Sequence, residues 1–348
     1  MELDARIPDV PLAEIGSEAR YIEWLGFDAI WSVETRHDPF FPLLQAALAT
    51  ERLKIGSNIA VAFARSPFSM AMSAWDLQAT SQGRLLLGLG TQVRAHIERR
   101  FSGIFDHPAA RITDYIDCLR AIWHSFQTGA KPAYEGPFYR FRLISDFFNP
   151  GPIPHPDIPV YLAGVNPRMA RAAGEVAQGF NMHPMHSPEY LRDILCPAFA
   201  DGARRRGRTI DDIDVVAMCF VVQGESEAER QESEREVRRQ IAFYASTPSY
   251  RTFLEFHGEG EAAQRLGALM REGRIDEMAD RISDRLLEAV AVSSADGDPG
   301  SLLRRRYENT PVKRVSIYGS TPSTDDASSE PAWRELVRSL EEDSAQPA

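Results

Sequence analysis

The sequence lacks the features that mark disulfide-rich, metal-binding and membrane-spanning proteins. Its 348 residues include three cysteines, and their wide spacing predicts neither a disulfide framework nor a zinc site. No apolar run approaches the roughly 20 residues of a membrane span, and the N-terminal sequence MELDARIPDV is not a basic-then-apolar leader. We therefore expect a cytoplasmic protein with no membrane partner.

Excess positive charge is also absent. The formal net charge is -11, and a negative surface field repels phosphodiester backbones and anionic lipid. The basic clusters ARRRG (203–207) and LLRRRY (302–307) stand where helices are predicted to end, and there they complement the helix dipole. No nucleic-acid partner is expected. The remaining composition is that of a globular protein, long enough for one large barrel or two ordinary domains.

Four apolar segments are each followed by a signal for the start of a helix. The segments FDAIWSV (27–33), LKIGSNIAVAF (53–63), IPVYLAG (158–164) and GFNMH (179–183) precede Asp38-Pro39, Ser66-Pro67, Asn166-Pro167 and Ser187-Pro188. Asp, Ser and Asn accept hydrogen bonds from the free amides of a helix start, and proline is tolerated at the first helical position. Repeated strand-helix units predict a parallel sheet whose outer face is covered by helices.

Four further strands complete the predicted sheet. They are expected at residues 2–7, 84–90, 212–222 and 312–319, with helices at 11–25, 109–128 and 331–342. Eight strand-helix units favour an α/β fold closed into a (β/α)8 TIM barrel over an open doubly wound sheet. We assign residues 1–342 to this single domain and expect residues 343–348 to be disordered.

Three segments are longer than the connections of a barrel require. They cover residues 91–108, 129–157 and 223–311, which predicts insertions after strands 4 and 7. The last segment holds a charged helix at 226–243 and the aromatic run FYASTPSYRTFLEFHGEG (243–260). The spacing of these aromatic residues favours packing on the barrel over covering a site.

The functional site of such a barrel lies at the carboxyl ends of its strands. The loops there offer hydroxyls, amides and histidines but few carboxylates, a mixture that suits a planar, phosphate-bearing cofactor better than hydrolysis. The helix starts after Gly164 and His183 present free amides and the positive end of the helix dipole, which bind phosphate well.

Other site chemistries are poorly supported by residue spacing. His183 and His186 stand on either side of Pro184, and with Glu189 nearby they still lack an obvious third ligand, so no metal is expected. No serine lies in a nucleophile-elbow motif. GLG at residues 88–90 is too short for a dinucleotide-binding fingerprint.

Three stretches of the sequence carry a family resemblance. They are GFDAIWSVETRHDPF (26–40), RLKIGSNIAVAFARSPFSMAMSAWDLQATSQGRLLLGLGTQVRAHIERRFS (52–102) and FYASTPSYRTFLEFHG (243–258). Together they resemble the luciferase-like monooxygenase superfamily and, within it, the branch of coenzyme F420-dependent oxidoreductases. The likeness extends from Leu3 to about Gly319.

The resemblance implies a bacterial luciferase-like barrel with a deazaflavin at its carboxyl-terminal mouth. The expected reaction is hydride transfer between coenzyme F420 and a small organic substrate. The alternatives are an FMN-dependent monooxygenase, which would need a flavin reductase as partner, and a non-catalytic flavin-binding protein. Relatives often dimerise, so a homodimer is possible, although no apolar stripe in the sequence can be assigned to an interface.

The resemblance also implies which residues contact the cofactor. The third strand of the family ends in a bulge, often with a non-proline cis peptide, that backs the ring. The implied contacts are Ser57, Asn58 and Ile59 at this bulge, Gly90, Thr91, Gln92 and His96 after the fourth strand, Gly164, Val165 and Asn166 after the fifth, and His183 at the end of the sixth.

The sequence departs from the family at the positions that move protons. Members that oxidise sugar phosphates or alcohols carry an acidic residue followed directly by histidine after the second strand, whereas here Glu34 is followed by Thr35. Some also carry a glutamate where Gln92 stands. His37 is the best candidate for proton transfer because its pKa is ordinarily near neutrality, with Glu34 next and Thr35 able to orient a substrate oxygen. The alternative is that His37 only caps the following helix.

Overall fold

The sheet structure is dominated by one closed barrel. The computed structural model describes residues 1–224 and 226–341. The strands within these residues are β1 (Glu2–Arg6), β2 (Ala29–Ser32), β3 (Lys54–Ser57), β4 (Ala60–Val61), β5 (Leu85–Gly90), β6 (Tyr134–Glu135), β7 (Arg140–Phe141), β8 (Val160–Gly164), β9 (Gly179–Met182), β10 (Asp214–Val222), β11 (Ala291–Ser293) and β12 (Val312–Ile317).

Eight parallel strands form the ring of the barrel. Their order is β1, β2, β3, β5, β8, β9, β10 and β12, and the pairing of β12 with β1 closes the ring. The short strand β4 pairs with β5, and β11 is added to β10 outside the ring. The predicted (β/α)8 barrel is therefore confirmed.

Helices follow the barrel strands and form the outer layer. The α-helices in the described residues are α1 (Ile15–Leu25), α2 (Phe40–Ala49), α3 (Pro67–Thr80), α4 (Arg94–Arg99), α5 (Pro108–Thr128), α6 (Pro167–Val176), α7 (Pro188–Tyr190), α8 (Cys196–Arg204), α9 (Glu227–Ala245), α10 (Arg251–Phe256), α11 (Gly260–Glu272), α12 (Asp284–Val290), α13 (Pro299–Tyr307) and α14 (Glu330–Glu341). A π-helical stretch, Leu191–Leu195, joins α7 to α8.

The predicted helix starts agree with the structure at three of the four positions. The side-chain oxygens of Ser66, Asn166 and Ser187 accept hydrogen bonds from backbone amides in the first turns of α3, α6 and α7. The fourth helix, α2, begins one residue later than its capping pair predicts. There the Asp38 carboxylate accepts the amide proton of Phe40 at 2.9 Å.

The predicted third strand, residues 53–63, is broken in the structure. β3 ends at Ser57, the Asn58–Ile59 peptide bond is cis, and β4 follows. The glycines of β5 make room for this break. A Cβ at Gly88 would lie 1.7 Å from the carbonyl oxygen of Ser57, and a Cβ at Gly90 would lie 2.8 Å from the side chain of Ile59. The two glycines therefore permit the close approach of the broken strand.

Large side chains fill the barrel lumen beneath its carboxyl-terminal end. Trp31 and Tyr161 pack edge to face with ring centroids 5.7 Å apart. The indole of Trp31 donates a hydrogen bond to Asp4 at 2.8 Å, and Arg314 donates to the same carboxylate at 2.9 Å. Because Asp4 and Arg314 are both buried, their pairing satisfies each charge inside the barrel.

Both predicted insertions are present. The segment after β5 contains α4 and, beyond α5, the antiparallel hairpin of β6 and β7. The segment after β10 contains α9 to α13 and β11. The predicted charged helix at 226–243 corresponds to α9, whose first turn is closed by a capping box between Ser226 and Glu229.

An apolar stripe is exposed on the outer surface of α2 and α3. Phe41, Leu44 and Leu48 on α2 are 61%, 38% and 69% exposed, and Met72 on α3 is 43% exposed. Spacings of three and four residues place the α2 side chains on one face. The sequence did not indicate this stripe because α2, FFPLLQAALA, is apolar on nearly every face and has no contrasting polar side.

Two expectations concern the chain as a whole. No helix within residues 1–224 or 226–341 is long and apolar enough to cross a membrane. The tail predicted to be disordered, residues 343–348, lies outside the described residues.

Candidate active site

A cavity of about 410 Å³ lies at the carboxyl ends of the barrel strands. Eleven of the fourteen predicted site residues line it: Glu34, Thr35, Asn58, Ile59, Gly90, Thr91, Gln92, Gly164, Val165, Asn166 and His183. Such a volume is typical of pockets for small ligands and cofactors. The structure thus brings together residues from five loops that are far apart in the sequence.

Three predicted site residues lie outside the cavity wall. Ser57 is fully buried, and its hydroxyl donates to the Gly88 carbonyl at 2.8 Å, which joins β3 to β5. His37 is exposed in the loop before α2, and His96 is exposed on α4. The structure therefore does not bring either histidine to the cavity, and the proton-transfer role of His37 stays a prediction.

Glu34 lines the cavity, but its carboxylate is already engaged. It accepts hydrogen bonds at 2.7 Å from both the Val61 amide and the Arg65 guanidinium. Arg65 also donates to Asp38 at 2.6 Å. Because Arg65 pairs with both carboxylates and Val61 donates to Glu34, Glu34 holds the loop before α2 against β4, next to the Asn58–Ile59 bond.

His183 stands in the cavity wall as a neutral imidazole. Burial, and then the proximity of His186, lowers the pKa of His183 to about 3. Its Nδ1 accepts the Met185 amide proton at 3.2 Å, so the single proton of the neutral ring is on Nε2. His183 can therefore donate a hydrogen bond into the cavity at neutral pH, but it cannot act there as a cationic acid.

His186 is bonded through both ring nitrogens to the protein. Nδ1 lies 2.7 Å from the His183 carbonyl, and Nε2 lies 2.8 Å from the Tyr307 hydroxyl. No group of three or more side chains able to ligate a metal is found in the described part of the chain. The fold thus uses His186 to join the loop after β9 to α13.

The helix start after β8 is capped by a side chain and tightly packed. Asn166 accepts the amide protons of Arg168 and Met169, both at 3.1 Å. A Cβ at Gly164 would lie 2.5 Å from the Cβ of Met169. The glycine predicted to admit an anion is therefore also needed for contact between β8 and α6.

The aromatic run that begins in the last turn of α9, here called the roof segment (243–257), covers the cavity and also packs on the barrel. Tyr250 lines the cavity, and the ring of Tyr244 lies 4.3 Å from that of His183. Phe253 packs against α7. The sequence favoured packing alone, which is only part of the role, because spacing within a segment does not show what the segment faces.

Sequence reasoning missed several residues of the cavity, and Asn181 and Arg6 are the most informative. Asn181 is 1% exposed, and its amide nitrogen and oxygen have no hydrogen-bond partner among the described residues. A signal existed in the sequence, since Asn181 is a polar residue inside the apolar strand GFNMH. Arg6, at the end of β1, gave no comparable signal because polar residues commonly end a strand.

The chain matches a known protein family over most of its length. The profile of the family described as luciferase-like monooxygenase matches residues 3–312. The chain belongs to this family. It is therefore a luciferase-like oxidoreductase, as its sequence predicts.

Three similar proteins illustrate its place among the luciferase-like oxidoreductases. An uncharacterized protein of Mycobacterium tuberculosis is 42% identical over 318 residues, which are 91% of this chain and 93% of that protein. An F420-dependent glucose-6-phosphate dehydrogenase of Nocardia farcinica is 30% identical over 191 residues, 53% of this chain and 54% of that enzyme. The coenzyme F420-dependent tetrahydromethanopterin reductase of Methanopyrus kandleri has the same fold, with a TM-score of 0.75 at 20% identity over 97% of this chain and 98% of its own.

Proposed function

We propose that this oxidoreductase transfers hydride between coenzyme F420 and a small organic substrate. The observation that carries the proposal is the unpaired amide of Asn181, buried against a cavity of cofactor size. When bound, the coenzyme supplies a ring carbon that accepts or releases the hydride. F420-dependent enzymes among the relatives support this choice of coenzyme.

The residues at the cavity floor fit the pyrimidine edge of a deazaflavin. That edge presents carbonyl oxygens on either side of an N–H group, and the Asn181 amide offers one acceptor and two donors to match it. Burying a polar side chain without a partner costs about 1–3 kcal/mol. A ligand that pairs with Asn181 recovers that free energy, so the unpaired amide is better explained by a binding role than by a packing role.

Apolar side chains beside Asn181 complete a surface for a flat ring. Ile59, Met218 and Trp31 line the same cavity. Ile59 packs closely on Gly90, where a Cβ would lie 2.8 Å from its side chain. Together these side chains offer an apolar surface against which a planar ligand can pack.

The start of α6 is the proposed contact for the phosphate of the coenzyme. The positive end of its dipole lies beside Gly164 and Val165 in the cavity wall. Arg168 is exposed in the same helical turn. The placement agrees with the contact implied by the family resemblance.

His183 is the proposed partner for a substrate oxygen. Its Nε2–H donor is held in place because Nδ1 already accepts the Met185 amide proton. A neutral donor stabilises negative charge that develops on a carbonyl or alcohol oxygen. Glu34 and Arg65 act at a distance by fixing the loops around this position.

Binding of F420 and FMN to the purified protein tests the proposal. Each cofactor is titrated separately, and its fluorescence or that of the protein gives the dissociation constant. We expect F420 to bind at least about tenfold more tightly than FMN, and bound F420 to be reduced by a member of a panel of alcohols, aldehydes and acids without oxygen. Tight binding of FMN without binding of F420 would contradict the proposal and favour the monooxygenase alternative.

A further inference from the structure

Arg6 is a cation in the cavity wall without a neutralising partner. Its guanidinium makes no ion pair or hydrogen bond with residues 1–224 or 226–341. The carboxylates near Arg6 in sequence and in the cavity are engaged elsewhere, because Asp4 pairs with Arg314, Asp9 with Arg36 and Glu34 with Arg65. Arg6 is exposed in the cavity wall, so water solvates its charge in the ligand-free protein, and an anion that enters the cavity can pair with it.

Hydroxyl groups surround the position of Arg6. β1 pairs in register with β12, Asp4 opposite Ser316, and two more residues along each strand place Arg6 beside Tyr318. Tyr318 lines the cavity and hydrogen-bonds through its hydroxyl to that of Tyr244. Arginine together with hydroxyl donors forms the kind of donor set that carboxylate and phosphate oxygens accept from.

The position of Arg6 differs from the proposed phosphate contact at the start of α6. In the ring of eight strands, β1 and β8 are four places apart in either direction. Arg6 and Asn166 therefore lie on opposite sides of the cavity mouth. A cofactor phosphate held at Asn166 leaves the Arg6 side to a second ligand.

We propose that Arg6 binds a carboxylate or phosphate group of the substrate, so that the enzyme acts on small organic anions rather than on neutral alcohols or aldehydes. This inference rests on the proposed function for its assignment to substrate rather than cofactor. Arg6 is then the residue that selects the charge of the substrate, since it has no other charge to neutralise.

Matched pairs of small aromatic probes test the charge preference directly. Benzoate and phenyl phosphate carry the two candidate anions, and benzamide has nearly the shape of benzoate without its charge. Titration calorimetry of each probe is performed on the wild type, Arg6→Gln, Arg6→Lys and the control Arg52→Gln. Arg52 is an exposed arginine before β3, at the amino-terminal end of the barrel, so its replacement changes the net charge equally.

We expect the wild type to bind at least one of the anions about tenfold more tightly than benzamide, the scale of one charge-assisted hydrogen bond. Arg6→Gln should remove this preference, Arg6→Lys should retain part of it, and Arg52→Gln should leave it unchanged. The two anions distinguish a carboxylate site from a phosphate site. Equal binding of all probes, no binding of any probe, or an unchanged preference in Arg6→Gln would overturn the proposal.

The affinity of the same variants for F420 separates this inference from the proposed function. If Arg6→Gln weakens F420 binding and leaves benzoate binding intact, Arg6 contacts the cofactor, and the substrate assignment is wrong. If the wild type prefers benzoate to benzamide but binds no F420, the anion site stands and the proposed function fails.

Discussion

Replacing Asn181 by an apolar residue should weaken ligand binding without lowering the stability of the protein. Its amide is buried without a partner among the described residues, so Asn181→Leu, which keeps the branching at Cγ without the polar atoms, removes a desolvation cost from the ligand-free protein. We expect the variant to unfold at an equal or higher temperature while its affinity for F420 falls about tenfold or more. Thermal unfolding and fluorescence titration measure the two effects.

A second outcome would identify a packing role for Asn181. If Asn181→Leu lost stability and kept its cofactor affinity, the amide would serve the contact of β9 with Gly88, whose Cβ position lies 2.9 Å from the amide nitrogen. The size-matched Asn181→Asp variant tests the donor separately, because a carboxylate cannot supply the N–H.

His186 should make the stability of the protein depend on pH in the acidic range. Burial lowers the pKa of His186 from its usual 6.5 to about 3. Below pH 6.5 the unfolded chain takes up a proton that the folded chain does not, so stability is lost as the pH falls from about 6.5 to 3. The loss approaches about 1.4 kcal/mol per pH unit for this group.

Urea unfolding between pH 7 and pH 4 measures this dependence. His186→Gln should flatten the slope by the contribution of one proton, even if the variant is less stable because the contact with Tyr307 is altered. The exposed residue His124 supplies the control, and His124→Gln should leave the slope unchanged. An identical slope in wild type and His186→Gln would show that His186 is protonated in the folded state.

The sequence predicted those residues of the candidate site that directly follow a barrel strand. It did not predict residues whose role depends on contacts with distant parts of the chain. Asn166 could be predicted because a capping residue and proline mark the end of a barrel strand. The pairing of Glu34 with Arg65 could not, since it joins two loops that only the closed barrel brings together. The freedom of Arg6 is likewise a property of its surroundings.

At the scale of elements, the contact of β5 with the broken third strand depends on Gly88. A Cβ there would lie 1.7 Å from a backbone carbonyl, and backbone atoms cannot move aside as a flexible side chain can. We expect Gly88→Ala to lower the free energy of unfolding by at least about 2 kcal/mol and to weaken cofactor binding by displacing Asn58. Chemical unfolding and fluorescence titration give the two values.

Gly267 provides the matched control for Gly88. It lies within α11, where a Cβ would have its nearest neighbouring atoms 3.6 Å away. Gly267→Ala should raise stability by about 0.5–1 kcal/mol through its higher helix propensity. A loss of stability in Gly267→Ala similar to that in Gly88→Ala would contradict the steric explanation.

The capping pairs predicted most elements well, while the third strand shows the limit of such reasoning. Ser66-Pro67 and Asn166-Pro167 place α3 and α6 because capping is a local interaction. The break between Ser57 and Ala60 depends on β5, about 30 residues away, so an apolar run such as 53–63 gives no sign of it beyond the family resemblance.

At the scale of the whole molecule, the exposed stripe on α2 and α3 concerns association. We propose that two copies of the chain pair through Phe41, Leu44, Leu48 and Met72, because an isologous contact about a two-fold axis would bury the stripe against itself. Leu44→Asp with Leu48→Asp should reduce the mass in solution from two chains to one. Light scattering after size-exclusion chromatography measures the mass.

Leu143 is the control for the stripe. It is 85% exposed and follows the β6–β7 hairpin, where it lines a surface pocket with Phe68 and with no residue of the stripe. Leu143→Asp should leave the mass at two chains. A wild type that elutes with the mass of one chain, or a Leu143→Asp variant that dissociates, would show that the stripe is not the interface.

The barrel itself was predictable because eight strand-helix units leave few alternatives, whereas the position of the roof segment was not. Tyr250 lines the cavity and Tyr244 packs on His183 beside it, and both belong to an insertion that follows β10. Its path over the barrel mouth depends on contacts such as that of Tyr244 with His183. Local sequence patterns do not predict such contacts.

The filled lumen beneath the cavity has a consequence for kinetics. Trp31, Tyr161 and the buried ion pair of Asp4 with Arg314 occupy the barrel below Asn181, so reactants reach the site through the carboxyl-terminal mouth. Because both reactants use this one entrance, the one that binds deeper in the cavity has to bind first and leave last. Turnover should accordingly follow a compulsory order through a ternary complex, with product leaving before coenzyme exchanges.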